Sequence, residues 1–269
     1  MSNKMKGIVL AGGTATRLFP LTATTSKQLL PVYNRQMIFY PLNVLVKAGI
    51  KDVLMIVTPE HSGQFVNLLG RIFERHEVHL EFKVQSVPRG LADAFILGKN
   101  FIDNNNVAMI LGDNIFEDDF SDIIKNFKSG GHVFAKKVPD PERYGVVKFD
   151  EAGKAIQIVE KPVEWISDYA IPGLYIFDNK VSAIAKKSKP SERGEIEITD
   201  LMNFYLEQGE LQVSPIKGEW LDAGTFDTLL EAGWIVKEKE IYKNFDPQIE
   251  KAIEEFNAEM KTIAKKQLL

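Results

Sequence analysis

Short runs of apolar and β-branched residues alternate with amphipathic stretches through the first half of this chain. Residues 7–10, 53–57 and 107–111 are apolar at consecutive positions, the pattern of strands buried on both faces of a parallel sheet. Between the first two runs, Met37, Tyr40, Val44 and Ala48 recur at helical spacing and stop at Gly49, which predicts a helix over residues 37–48. A second helix fits residues 61–76, and a third follows Gly90 with Leu91, Ala94, Phe95 and Phe101 turned inward. After residue 130 the texture changes. Residues 132–138, 145–149, 155–160 and 171–177 read as strands separated by Asp, Pro and Gly turns, a more antiparallel extension of the sheet. Thr199 is placed to cap a helix running to Gln208 and closed by Gly209, and Thr225 to cap another through Val236. Asp246 and Pro247 suit the N-cap and first position of a terminal helix. Its apolar stripe of Ile249, Ile253, Phe256, Met260 and Ile263 has to dock, on the body of the chain or on a neighbouring subunit. The alternation as a whole predicts an α/β fold.

Composition narrows the chemistry. With 269 residues, 45% of them hydrophobic and 26% charged, the chain can bury one large core or a core with a smaller attached subdomain. No apolar run approaches the ~20 residues that span a bilayer, so the expected location is cytoplasmic, with no membrane partner. The absence of cysteine excludes disulfides, thiolate metal sites and a cysteine nucleophile. A net charge of −4 offers no general attraction to nucleic acid or membrane, so any phosphate has to be bound locally. Of the four histidines only His76 and His79 share a helical spacing, and Arg75, Glu77 and Glu81 around them indicate solvated surface.

The local phosphate site is expected at residues 8–18, IVLAGGTATRL, where a buried strand runs into a tight turn of small residues and then Arg17. Small residues let successive backbone N–H groups converge on a polyphosphate, and a guanidinium adds a fixed cationic fork. The spacing fits neither G-x-G-x-x-G nor the P-loop pattern, which disfavours a dehydrogenase or a P-loop ATPase. A second candidate follows residues 107–111, where Gly112-Asp113-Asn114 ends an apolar strand. A carboxylate there can hold Mg²⁺ against phosphate oxygens, or it can close an Asx turn; on spacing alone the two readings stand level.

The longer strings LAGGTATRLFPLT and SKQLLPV, taken with LGDN and WLDAGT, resemble the sugar-1-phosphate nucleotidylyltransferases, and within them the members that use dTTP and glucose 1-phosphate. The resemblance spans roughly residues 5 to 235. It implies a Rossmann-like three-layer nucleotidyltransferase fold with a mixed, mostly parallel central sheet and a strand-rich sugar-binding extension. Residues 1–240 are then a single domain, with the nucleotide part at about 1–130 and the sugar part at about 131–240, followed by a helical extension over 241–269. It further implies that Gly12, Gly13, Thr14, Ala15, Arg17, Lys27 and Gln28 serve the triphosphate, with Arg17, Lys27 and Lys161 as the catalytic cations. Asp113 and Asp222 become magnesium ligands, Mg²⁺ being the one cofactor. Ala15 stands where the family usually has glycine, and the expectation is a negative φ with its N–H toward phosphate.

Four more strings match the family: DPERYGVV, VEKP, GLYIFD and SERGEIEITD. Together with Asn114 of LGDN, they imply sugar-phosphate contacts from Tyr144, Gly145, Glu160, Lys161, Gly173, Tyr175 and Arg193. The residue types suit the task, since a carboxylate accepts from sugar hydroxyls and Lys161 and Arg193 can pair with phosphate. Arg193 is equally suited to a structural ion pair with Glu195 or Glu197. By resemblance Gln85 and Gly90 read the base; an amide matches the O–C–N–H edge shared by thymine and uracil, so dTTP and UTP are both admitted. The partners implied are dTTP or UTP, a sugar 1-phosphate, and further copies of the chain in a dimer or tetramer. A non-catalytic nucleotide sensor and a nicotinamide-dependent oxidoreductase are the rival classes. The segment beyond residue 240 offers an amphipathic helix and no motif for a regulatory nucleotide site.

Overall fold

The computed structural model describes residues 4–13 and 15–267. In chain order the first half contributes β1 (Met5–Ala11), the short hairpin β2 (Pro31–Val32) and β3 (Arg35–Gln36), β4 (Asp52–Val57), β5 (His79–Val84), β6 (Asn106–Leu111) and β7 (Asn114–Phe116). The second half contributes β8 (Gly131–Lys137), β9 (Gly145–Phe149), β10 (Ala155–Glu160), β11 (Tyr169–Ala170), β12 (Leu174–Phe177), β13 (Leu211–Pro215) and β14 (Trp220–Asp222). The main sheet runs β10-β9-β11-β8-β12-β6-β1-β4-β5, with β13 also paired to β8. From β6 through β1 and β4 to β5 the pairing is parallel. At β12 it turns antiparallel and remains so through β11, β9 and β10.

The parallel strands are buried on both faces, which is why they read as continuous apolar runs. Val9, Met55 and Ile110 face one hydrophobic cluster, while Ile8, Leu10, Leu54, Ile56 and Met109 face the other. Helices cover both faces, giving the three-layer α/β architecture expected.

Differences from the sequence pattern have local causes. The helix expected over 61–76 is a composite of Ser62–Phe65, a π turn at Val66–Gly70 and Arg71–Phe73. The helix after Gly90 breaks at Gly98 into Asp93–Leu97 and Lys99–Ile102, although Ala94, Phe95 and Phe101 are buried as expected. The strand expected over 171–177 is interrupted because Pro172 has no N–H and the Gly173 N–H goes to the Asn114 side chain at 2.9 Å. Thr199 caps nothing. Glu197 occupies the N-cap of Ile198–Glu207, and Thr199 lies in its first turn, buried against Gly145. Thr225 does cap Phe226–Glu238, in a reciprocal box with Thr228.

The terminal helix Pro247–Gln267 begins where Asp246 Oδ1 accepts from the Gln248 N–H at 2.9 Å. It docks on the body of the chain. Ile249 and Ala252 are buried, Ile253 and Phe256 pack beside them, and Arg71 lies over the Phe256 ring while reaching Glu259 at 3.2 Å. Met260 stays 39% exposed, so the stripe is only partly covered. His76, expected on open surface, sits against this helix 3.3 Å from Glu255, while His79 opens β5. Among the described residues no helix is long and apolar enough to cross a membrane.

Candidate active site

Ligand-facing groups of an open parallel sheet collect beyond the carboxyl ends of its strands, and three of them do so here. Gly12 and Gly13 follow β1, Gln85 follows β5, and Asp113 follows β6. A fourth arrives from far along the chain. β14 pairs antiparallel with β7 so that Asp222 stands opposite Asn114, which brings the two expected metal carboxylates together. Asp113 is ion-paired with Lys27. Burial pushes the Asp113 carboxyl up, and the Lys27 ammonium together with the Asn114 amide holds it below the usual range. Asp222 is raised, first by burial and then by the Asp113 charge.

Two adjoining cavities open at these strand ends. One is lined by Gly12, Gly13, Lys27, Gln28, Gln85 and Gly90. The other is lined by Asn114, Tyr144, Glu160, Lys161, Tyr175 and Asp222, with Gly145, Gly173 and Arg17 also on its wall. Asp113, Leu91 and Leu111 border both. The expected nucleotide and sugar sets thus fall into separate cavities. The exceptions among the described residues are Arg17, on the sugar side, and Ala15 and Arg193, on neither wall.

In the first cavity, Gly13 has φ 99°, open only to glycine at low cost. Ala15 overturns the expectation of a negative φ: it is left-handed at φ 46°, ψ 34°, the residue from which the turn Thr16–Leu18 starts. Its carbonyl accepts from the Leu18 N–H and from Thr22 Oγ1, both at 3.1 Å, and these two bonds hold it in that conformation. An alanine can adopt it at roughly 1–2 kcal/mol. Thr14 lies outside the described residues. Gln28 is buried; its Nε2 reaches the Gly12 carbonyl at 3.4 Å and its Oε1 accepts from Ser26, so its amide braces the loop. The Gly90 turn is pinned to the chain at Ile196, whose N–H donates to the Arg89 carbonyl at 2.7 Å.

In the second cavity, Asn114 is spent on the scaffold. Its Oδ1 accepts from the Trp220 indole at 2.7 Å and the Gly173 N–H at 2.9 Å, and its Nδ2 donates to Asp113 at 3.1 Å. Tyr144 meets Trp220 edge to face at 4.9 Å, and burial followed by the Asp222 charge pushes its phenol up to about 12. Burial likewise raises the Tyr175 phenol. The Glu160 carboxyl is raised by burial and by Glu197, against the pull of Lys161 and Arg193. Lys161 is exposed and left-handed at φ 42°, its N–H bonded to the Tyr144 carbonyl at 2.9 Å. Arg193 pairs with Glu195 at 3.0 Å, Glu197 at 3.6 Å and Glu160 at 3.8 Å, so it braces Glu160 from behind the cavity. Arg17 and Asp222 converge on Gly224: a β-carbon there would lie 3.0 Å from Arg17 Nη2 and 3.2 Å from Asp222 Oδ1.

Four site residues escaped the sequence. Arg143 and Trp220 stand inside matched strings, DPERYGVV and WLDAGT, which was the available signal. Thr199 was mistaken for a cap. Asp93, buried and bonded to Gln85, gave no signal at all.

With the geometry in place, the comparisons are specific. Residues 6–239 match the family model described as nucleotidyl transferase. A glucose-1-phosphate thymidylyltransferase of Neisseria gonorrhoeae is 50% identical over 240 residues, covering 87% of this chain and 83% of that protein. The Mycobacterium tuberculosis protein of the same name is 48% identical over 238 residues, covering 87% and 82%. A Bacillus anthracis crystal structure described as a glucose-1-phosphate thymidylyltransferase in complex with sucrose superposes with a TM-score of 0.84 at 41% identity, covering 92% of this chain and 99% of that one. A UDP-glucose pyrophosphorylase bound to UDP-glucose shares the fold, with a TM-score of 0.74 at 24% identity over 89% of this chain and 100% of that one.

Proposed function

This chain belongs to the nucleotidyl transferase family, and from that premise we propose that it transfers a thymidylyl group from dTTP to glucose 1-phosphate, releasing pyrophosphate and forming dTDP-glucose. The observation that carries this reading is the pair of cavities joined at Asp113, one with a glycine turn, Lys27 and Gln85, the other with Glu160, Lys161 and Tyr175. A triphosphate in the first and a sugar 1-phosphate in the second bring their reacting phosphates together beside Asp113. Relatives named for this reaction over most of both chains supply the identities of base and sugar.

A phosphate oxygen of the sugar 1-phosphate attacks the α-phosphorus in line. The new P–O bond forms as the bond to the α,β-bridging oxygen breaks, and that oxygen leaves with pyrophosphate. The nucleophile is already anionic, so no strong general base is needed, and catalysis consists of alignment and charge neutralisation. The Gly12 and Gly13 N–H groups and Lys27 hold the triphosphate. Arg17, on the wall of the sugar cavity beside Asp222, faces the charge that develops at the α-phosphate. Lys161 orients the sugar phosphate, and Glu160 accepts from sugar hydroxyls. The left-handed backbone of Lys161 is strain of about 1 kcal/mol or more, of the kind held where a side chain must be aimed.

A divalent cation, magnesium, fits Asp113 and Asp222. Two buried carboxylates close enough for one to raise the other form a donor set whose repulsion a dication relieves. Among the described residues no cluster of three or more acidic or histidine ligands occurs; a bound ion would be held by Asp113 and Asp222 and would take its remaining ligands from phosphates and water, the usual arrangement for Mg²⁺. When bound, the ion supplies charge neutralisation at the phosphate oxygens.

The test is a panel of dTTP, UTP, CTP and GTP against several sugar 1-phosphates, scored by pyrophosphate release. The fastest release is expected with dTTP and glucose 1-phosphate. Equal rates with UTP would remove the thymidylyl assignment, and release with no pair would remove the reaction.

A further inference from the structure

The mechanism above makes no use of one buried charge. Asp93 is fully buried at the start of the helix Asp93–Leu97, and both of its oxygens are engaged. Oδ2 accepts from Gln85 Nε2 at 2.8 Å, and Oδ1 accepts from Arg89 Nη2 at 2.8 Å. A carboxylate paired with arginine only accepts, so the end of the Gln85 amide that meets it has to be the nitrogen. The usual freedom of a glutamine amide to exchange its two ends is absent here. Gln85 is itself held: its backbone N–H donates to the Val57 carbonyl at 2.8 Å, and the residue is only 7% exposed. Its Oε1 lies 3.4 Å from the position of a β-carbon on Gly12, on the side of the cavity that both residues line. The amide therefore turns its oxygen and its second N–H toward that cavity together.

We propose that Asp93, backed by Arg89, is a positioning residue that fixes which pyrimidine the cavity accepts. It does so by locking the Gln85 amide in the orientation that pairs with an imide N–H flanked by a carbonyl. This rests on the reading of that cavity as the nucleotide site. Thymine and uracil present such an edge. Cytosine presents an acceptor nitrogen beside an amino donor, so pairing with it requires the Gln85 oxygen and nitrogen to exchange places. The exchange sets Oε1 against the Asp93 carboxylate and forfeits a hydrogen bond to a charged group, a penalty worth on the order of 10- to 100-fold in discrimination. Arg89 holds the carboxylate in place by its ion pair at 2.8 Å, and its own turn is held by the Ile196 N–H.

The experiment measures kcat/KM for dTTP and for dCTP, each with glucose 1-phosphate, in the wild type and in Asp93→Asn. Asparagine has the shape of aspartate but offers a donor as well as an acceptor, which frees Gln85 to turn either way. The dTTP-to-dCTP ratio is expected to fall about 10- to 100-fold in the variant, mainly through faster turnover of dCTP. A merely structural Asp93 predicts that both substrates lose together at a constant ratio, and that result overturns the proposal. So does a wild type that uses dCTP as well as dTTP, which keeps the idea exposed if the variant does not fold; Asp93→Ser, also donor and acceptor, is the second variant. Should the wild type release no pyrophosphate from dTTP with any sugar 1-phosphate, the reaction assigned above fails instead. Calorimetric binding of dTTP and dCTP then still decides the lock, equal affinities for the two overturning it.

Discussion

Replacing Gly90 by alanine perturbs one contact with consequences for both cavities. Gly90 has φ +95°, and an added β-carbon would lie 2.4 Å from the Ile196 carbonyl oxygen, 2.7 Å from its nitrogen and 2.9 Å from its carbonyl carbon. All three are backbone atoms, so no rotamer change relieves the overlap. The strained φ costs about 1–3 kcal/mol and the overlap about another 1–3 kcal/mol, which makes about 2–6 kcal/mol if the turn keeps its place. Relief requires the two segments to separate, and that breaks the bonds from Ile196 N–H to the Arg89 carbonyl at 2.7 Å and from Ala92 N–H to the Ile196 carbonyl at 3.2 Å. At roughly 2–4 °C per kcal/mol for a chain of this size, Tm should fall by about 4–24 °C. The separation also shifts Asp93 relative to Gln85, so KM for dTTP should rise about tenfold, the kinetic equivalent of roughly 1.4 kcal/mol of lost binding. Scanning calorimetry and initial-rate measurements read the two effects. A variant with Tm within about 1 °C of wild type and an unchanged KM would show that the 90–196 contact does not exist as described.

Three further outcomes follow from the same structure. Asp222→Asn should lower pyrophosphate release by at least about 10²-fold and abolish the Mg²⁺-dependent rise in Tm, because the remaining carboxylate cannot hold the ion alone; a thermal shift with Mg²⁺ equal to that of the wild type would contradict the assignment. Ala15→Gly should stabilise by up to about 1.5 kcal/mol in urea titrations, the left-handed penalty of roughly 1–2 kcal/mol outweighing about 0.5–1 kcal/mol of added unfolded-state freedom, whereas a loss of stability would mean that Ala15 is not left-handed. Burial lowers the pKa of His132, whose Nε2 meets Ser214 Oγ at 2.8 Å, so the folded state resists a proton that the unfolded state accepts. Stability from this residue is therefore full above about pH 6.5 and falls as pH drops below it, by up to ~1.4 kcal/mol per pH unit, and His132→Gln should flatten that limb of a Tm-against-pH curve.

What the sequence disclosed depended on whether a position answers to its neighbours in the chain or to distant ones. The strands β1, β4 and β6 were legible because burial on both faces makes apolar residues consecutive. The strand β5 was not, since HLEFKV lies at the sheet edge with polar residues exposed and no run to notice. Arg17, Lys27, Asp113 and Asp222 were legible as parts of strings long enough to carry a family resemblance. Gln28 and Asn114 line the two cavities, but the bonds of their amides to Gly12, Ser26, Gly173 and Trp220 were not legible, because spacing does not reveal such partners. Thr199 illustrates the opposite error. A threonine before an apolar helical run satisfies the local rule for a cap, and here a tertiary demand, the wall beside Gly145 and Glu160, claimed it instead.

The junction of the two cavities has a topological cause. β6 pairs in parallel with β1 on one side and antiparallel with β12 on the other, so it is the seam between the two halves of the sheet. On the parallel side every strand delivers its following loop to the same edge, which gathers Gly12, Gln85 and Asp113 without long excursions of the chain. On the antiparallel side β12 runs the other way, so it is the residue entering the strand, Gly173, that arrives at that edge, where its carbonyl accepts from the Leu111 N–H at 2.8 Å. Asp113 leaves the seam strand and for that reason borders both cavities. The β7–β14 pair then lays Asp222 beside it from the far end of the sequence, held in register opposite Asn114. A one-residue slip of that short pair would turn Asp222 to the opposite face, and the Trp220 indole bonded to Asn114 Oδ1 opposes such a slip. Trp220 is therefore tied to the reaction by register: it fixes where the second carboxylate stands, while its ring packs against Tyr144 on the sugar side.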